Sequence, residues 1–235
     1  SECLINWLSV ERKKRSVVAV DGKTIRGSGN NTHKAYHVIS AFVAENQITL
    51  VLIRHGATKA NMEHRYLGKT DEVLSKEGEM QLFEYKKRGF FPNIDYLFSS
   101  PMKRCVQTAE ILFPELKPVE IEEWKEMDFG VFEGKNYLEL QGDKRYHEWI
   151  DSNGTLPFPE GESREEFISR CDKGFRRMIE KLMPIKEERH KTVGIVVHGG
   201  TIMALLSKYG KGDYFDYQVP NGKGFVCIMN HFDTE

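Results

Sequence analysis

From residue 49 onward the apolar positions follow two alternating periods. Short apolar runs recur at 50–53, 95–99, 193–198 and 225–230. The first, Leu50 to Ile53, is apolar at every position, as in a parallel-sheet strand buried on both faces. Between these runs apolar residues recur at helical spacing around 76–89, 101–113, 136–150, 163–183 and 200–209. The pattern predicts that Ser100 caps the second helix with Pro101 at its first position, and that Met102, Cys105, Val106, Ala109 and Leu112 share one face. The fourth opens on a capping box, Ser163 to Glu166, and then repeats Phe167, Cys171, Phe175, Met178, Ile179 and Leu182. Such alternation predicts an α/β fold of three layers: a mostly parallel sheet with helices on both faces.

Residues 1–48 follow another pattern. "SVVAVDGKTIRGSGNN" predicts a short strand, an Asp-Gly turn and a polar loop, and "AYHVISAFVAENQITLVLI" predicts a strand, a tight turn at 45–47 and a second strand. This β-rich appendage is too small for a core of its own. It carries seven Lys/Arg against four Asp/Glu, whereas the rest of the chain carries 27 against 31. That asymmetry hints at two origins.

The whole chain of 235 residues has a formal net charge of −1, which points neither to nucleic acid nor to a membrane surface. Cys3, Cys105, Cys171 and Cys227 lie far apart, with no CxxC pair and no histidines at zinc-ligand spacing. Reduced thiols and a cytoplasmic setting are expected. No apolar stretch is long enough to span a bilayer, and the first residues lack a signal-peptide pattern.

Four stretches carry candidate chemistry. In "LVLIRHGATKAN", Arg54 and His55 end a buried strand, where open α/β sheets place their ligands. "SSPMKRCVQTAE" puts Arg104 in the first turns of a helix, where backbone donors and a guanidinium fork both suit an anion. In "VVHGGTIMALL", His198 ends a second apolar strand, and Gly199 and Gly200 let a helix N-terminus approach an oxyanion. "WKEMDFGVFEG" sets Glu126 and Asp128 among aromatics, which can raise a carboxyl pKa toward neutrality. Alone, a strand-ending histidine is more often structural, and a loop glutamate is usually solvated. Together, two histidines, two arginines and a carboxylate are the set that phosphoryl transfer through nitrogen requires.

Read together, "RHGATKAN", "YLGKTDEVLSKEGEMQ", "FSSPMKRCVQTAE", "EMDFGVFEG" and "VHGG" resemble the histidine phosphatase (phosphoglycerate mutase-like) superfamily over residues 49–235. The resemblance implies that His55 becomes phosphorylated, that Arg54, Asn61, Arg104, His198 and Gly199 surround the phosphoryl group, and that Glu126 donates the proton. It implies a small phosphorylated substrate, a monomer or homodimer, and no metal or other cofactor. Asn61 fits the mutase-like branch rather than the acid phosphatases and phytases. "EMDFGVFEG" and the compact length look like the α-ribazole phosphatases of cobalamin biosynthesis. The alternatives are a broad-specificity or sugar-phosphate phosphatase, a mutase-like enzyme, or a phosphate-binding protein without turnover.

Residues 1–48 resemble instead the start of a ribonuclease-H-like insertion-sequence transposase domain, in which Asp21 would be the first of three metal-binding acids. The rest of that domain is absent. A fusion remnant is therefore expected ahead of the phosphatase domain at 49–235, rather than a working nucleic-acid module.

Overall fold

The computed structural model describes residues 48–183 and 191–229, together with the backbone of Cys3–Leu4 and Ser16–Val20. The short strands Cys3–Leu4 (β1) and Ser16–Val20 (β2) precede the long strand Ile48–Arg54 (β3). Then follow α1 (Lys59–Met62), α2 (Lys76–Lys87), β4 (Tyr96–Ser99), α3 (Lys103–Leu112) and β5 (Val119–Glu120). After these come α4 (Tyr137–Leu140), α5 (Lys144–Asp151), α6 (Arg164–Leu182), β6 (Lys191–Val197), α7 (Gly199–Tyr209) and β7 (Gly224–Met229).

The sheet order is β1-β2-β7-β3-β6-β4-β5. β3, β6, β4 and β5 run parallel, and β7 is inserted antiparallel beside β3. Alternate residues of β3 feed two cores. Ile48, Leu50 and Leu52 pack in a cluster with Phe167, Phe175 and Ile202 of α6 and α7. Val51 and Ile53 pack with Leu82 of α2 and Cys105, Ala109 and Leu112 of α3. A strand apolar on both faces thus becomes the middle of a three-layer α/β/α fold, as the sequence pattern predicts.

Register decides what meets at the strand ends. Arg54 pairs with Val197, and Ser99 with Val196, so β3, β6 and β4 finish side by side with His55, His198 and Ser100 as their next residues. The His55 N–H donates to the Val197 carbonyl at 2.9 Å, holding the two histidines at the same level.

Two predicted helices change at their boundaries. α3 starts two residues later than Ser100-Pro101 implies, with Met102 at the cap. The Ser100 hydroxyl is engaged with His198, and the Lys103 N–H is met by the Asp71 carboxylate at 2.7 Å. The anion at this helix start is therefore Asp71. The single helix predicted over 136–150 is two, α4 and α5: the Asp143 carboxylate accepts from the Arg145 N–H at 3.0 Å and starts a new helix.

β2 pairs antiparallel with β7, so part of the N-terminal segment lengthens the sheet. The strand expected at 35–44, its turn at 45–47, and Asp21 lie outside the described residues. Among the described residues no helix is long and apolar enough to cross a membrane. Cys105, Cys171 and Cys227 are buried free thiols.

Candidate active site

His55 and His198 face each other edge to face, with ring centroids 5.2 Å apart. Nδ1 of His55 lies 2.7 Å from the Gly56 carbonyl. A carbonyl can only accept, so Nδ1 carries the hydrogen and Nε2 keeps its lone pair. Burial, with Arg104 and Arg54 alongside, holds His55 well below the ordinary imidazole range. The neutral ring is favoured, with its free lone pair on Nε2.

Arg104 is fully buried, and the rest of the centre hangs on it. Its Nε donates to Nδ1 of His198 at 3.3 Å, and its Nη1 and Nη2 donate to the carbonyls of Thr70 at 2.9 Å and Gly68 at 3.0 Å. Three of the five guanidinium hydrogens are thereby placed, leaving one on each terminal nitrogen for an anion. The 68–70 loop is fixed in turn by Glu133, whose carboxylate accepts from Gly68 and Thr70 N–H groups at 3.0 Å. A side chain at Gly68 would collide with the Met127 carbonyl. Because Nδ1 of His198 accepts, its Nε2 carries the proton and donates to Ser100 Oγ at 2.8 Å. Burial first, then Arg104 and His55, keep His198 neutral as well.

Arg54 donates through Nη1 to the Val219 carbonyl at 2.7 Å, while its buried Nε has no hydrogen-bond partner. It packs closely against Gly199 at the start of α7: a Cβ on Gly199 would lie 3.3 Å from that Nε. Glu126 accepts from the Met127 N–H at 2.9 Å and from Gly200. A side chain at Gly200 would overlap the carboxylate, so this glycine is what admits Glu126. Burial raises the Glu126 pKa, against the pull of the Met127 hydrogen bond and the two arginines. Asp128 is not part of this arrangement; it pairs with Lys69 and caps the Gly130 N–H.

Asn61 sits in α1 with its carboxamide oxygen accepting from Thr58 N–H and from Asn221 Nδ2, at 3.2 and 3.1 Å. Asn221 also donates to the His55 carbonyl at 3.1 Å, and Gly222, at φ 71°, donates to the carbonyls of Arg54 and His55. Asn221, Ser100 and Thr108 escape a reading of motifs. Thr108 bridges the centre from below, accepting from Gly56 N–H at 2.9 Å and donating to the Arg104 carbonyl at 2.6 Å. An Asn-Gly turn ahead of a strand was the available signal for Asn221; nothing in the spacing marks Thr108.

Two lobes open beside Arg54. One, of about 610 Å³, is polar, with Asn61, His64, Arg65 and Asn221 in its lining. The other, of about 670 Å³, runs past Glu126, Gly199 and Gly200 into a largely aromatic recess.

Known proteins resemble the chain in sequence and in fold. The sequence profile described as "Histidine phosphatase superfamily (branch 1)" matches residues 50–226. An "Uncharacterized phosphatase PhoE" of Bacillus subtilis is 35% identical over 164 residues, covering 69% of this chain and 77% of that protein. A 2,3-bisphosphoglycerate-dependent phosphoglycerate mutase of Corynebacterium diphtheriae is 27% identical over 220 residues, covering 79% and 87%. The solved alpha-ribazole phosphatase of Shigella flexneri superposes with a TM-score of 0.62 at 25% identity, covering 74% of this chain and 87% of that one. With the family profile covering residues 50–226 and a phosphatase 35% identical over 69% of its length, the chain belongs to the histidine phosphatase superfamily and is a phosphatase enzyme.

Proposed function

We propose that the protein is a phosphomonoesterase working through a phosphohistidine on His55, and that α-ribazole 5′-phosphate is its substrate. The observation that carries the mechanism is the Nδ1 contact of His55 with the Gly56 carbonyl, which leaves Nε2 as a lone-pair donor. In the first step Nε2 bonds to phosphorus as the phosphorus–oxygen ester bond breaks, and the leaving oxygen takes the Glu126 proton. Arg54, Arg104, Asn61 and the Gly199 backbone hold the phosphoryl oxygens, while His198 lies beside them and orients Arg104. In the second step water attacks phosphorus while the Glu126 carboxylate takes its proton, and His55 Nε2 departs with its electron pair. No step calls for a metal, so excess EDTA should leave activity intact.

The substrate assignment is supported by the Shigella flexneri relative, which bears that name, and by an aromatic recess beside the phosphate position. The polar lobe with Arg65 and Asn61 favours a second reading, a sugar-phosphate or phosphoglycerate enzyme. A panel of α-ribazole 5′-phosphate, 3-phosphoglycerate, fructose bisphosphates and nucleotides separates them. A preference for the ribazole ester below about tenfold, roughly 1.4 kcal/mol, defeats the specific substrate and leaves the class. His55→Ala should abolish both turnover and acid-labile labelling; near-normal activity in that variant would refute the mechanism. Turnover by the wild type also disposes of a purely phosphate-binding role.

A further inference from the structure

The recess beyond Glu126 is built from rings on two sides. On one, Trp149 stacks on Phe158 at 4.7 Å and 29°, Phe129 meets Phe158 edge-on at 5.0 Å, and Tyr66 lies 5.1 Å from Phe129. On the other, Tyr214 and Phe215 sit 5.2 Å apart. Arg164, the first residue of α6, ties the two together. Its guanidinium carbon lies 5.0 and 4.9 Å from the Tyr214 and Phe215 ring centroids, and its Nη2 donates to the carbonyls of Asn153 and Gly154. Those two residues form a turn with φ of 53° and 63°, and a side chain at Gly154 would meet the Trp149 ring at 2.9 Å.

Two features mark this recess as a surface for a partly apolar group. Phe215 is 45% exposed and Leu156 49% exposed, although both line the cavity. Apolar surface facing into a concavity is surface that a bound group would remove from water. The indole N–H of Trp149 is also buried without a hydrogen-bond partner. A small anionic leaving group, such as a glycerate, would leave both features as they are. A flat, uncharged ring carrying an acceptor would answer both.

We infer that the lobe lined by Trp149, Phe158, Tyr214 and Phe215 is the specificity site, selecting phosphomonoesters whose leaving group is a flat, uncharged aromatic body with a hydrogen-bond acceptor for the Trp149 indole. This rests on the phosphomonoesterase reading and narrows it to a substrate class. It also gives Arg164 a part as a positioning residue that keeps the two sides of the lobe at a fixed separation.

The test uses the full chain and needs no turnover. Calorimetry compares 2-(1-naphthyl)ethylphosphonate with ethylphosphonate, two non-hydrolysable anions that differ in the ring alone. The naphthyl compound should bind at least tenfold tighter to the wild type. In Phe215→Ala, at a half-exposed position where folding is not at stake, that advantage should shrink below threefold. Equal binding of the two phosphonates by the wild type, or an undiminished advantage in Phe215→Ala, overturns the proposal. A quinolinyl counterpart addresses the indole: relative to naphthyl, its binding should weaken about fivefold in Trp149→Phe, which keeps a ring and loses the N–H. An unchanged ratio removes the indole from the inference. Failure of the underlying reading shows separately, as absence of an acid-labile phosphoenzyme in the wild type.

Discussion

The reaction centre and the aromatic lobe share Arg54 and Glu126 as a border, yet they are held together in opposite ways. Around His55 the ties are directional: Gly56 fixes one ring, Arg104 and Ser100 fix the other, and the Gly68 and Thr70 carbonyls fix Arg104. In the lobe, rings pack on rings at 4.7–5.2 Å, and Arg164 supplies the directional contacts to the chain. Directional networks fail when one member is removed, whereas ring packing is graded and non-directional. In the proposed reaction the phosphorus position would therefore be fixed, while the choice of leaving group could change by exchanging one ring for another.

Arg104→Ala gives the sharpest test of that contrast. It removes an anion contact, unfixes His198 and frees two loop carbonyls at once. Transition-state stabilisation should fall by about 2–4 kcal/mol, the loss typical of one oxyanion donor. kcat/KM should drop to the same extent for aromatic and aliphatic esters. A loss confined to aromatic esters would mean that the reaction centre and the aromatic lobe are not separable.

Glu126 lies on the border, and its replacement should produce a loss that depends on the leaving group. Glu126→Gln should lower kcat/KM for alkyl esters by roughly 10²–10⁴, the usual contribution of a general acid. p-Nitrophenyl phosphate, whose leaving oxygen needs no proton, should be affected far less. The pH profile checks the same assignment. His55 must be unprotonated, and burial with Arg104 and Arg54 holds it below 6.5, so the acid limb falls below that value. Glu126 must be protonated, and burial holds it above 4.5, so activity is lost as pH rises through that raised value. The variant should lose the alkaline limb. A limb that persists in Glu126→Gln belongs to another group.

The smallest effect is expected from a region in neither lobe. Deleting residues 1–47 removes β2 from the outer edge of β7, while β7 keeps its pairing with β3 and the strand ends at His55 are untouched. Activity within a few-fold and little change in melting temperature are expected. The uncovered β7 edge should show instead as self-association in sedimentation. Loss of turnover on truncation would make the segment an integral part of the domain.

What could be read from the sequence follows the same division. The reaction centre is written in short contiguous motifs because strand ends in a parallel sheet converge, so Arg54-His55 and His198-Gly199 announce themselves. Arg104, five residues past its strand end, is legible by the same logic. The lobe draws on positions from Tyr66 to Phe215, in loops and short helices whose approach depends on tertiary packing. Apolar periodicity over 136–150 suggests one helix. The restart at Asp143 is what α5 owes its direction to, and with it Trp149 its place in the recess. The start of α3 shows the limit of local rules, since the Lys103 N–H is met by Asp71 from a distant loop, while the Ser100 hydroxyl also accepts from His198.

Arg54 carries one more consequence. A buried donor without a partner costs the folded chain about 1–3 kcal/mol. An oxyanion that accepted from this Nε would bind the folded chain and not the unfolded one, making inorganic phosphate a folding ligand as well as a product. At a hundred times its Kd it would add about 2.7 kcal/mol to the unfolding free energy. Melting curves recorded in phosphate buffer then describe the complex, and variants of the phosphate site would look more damaged there than in a buffer without oxyanions.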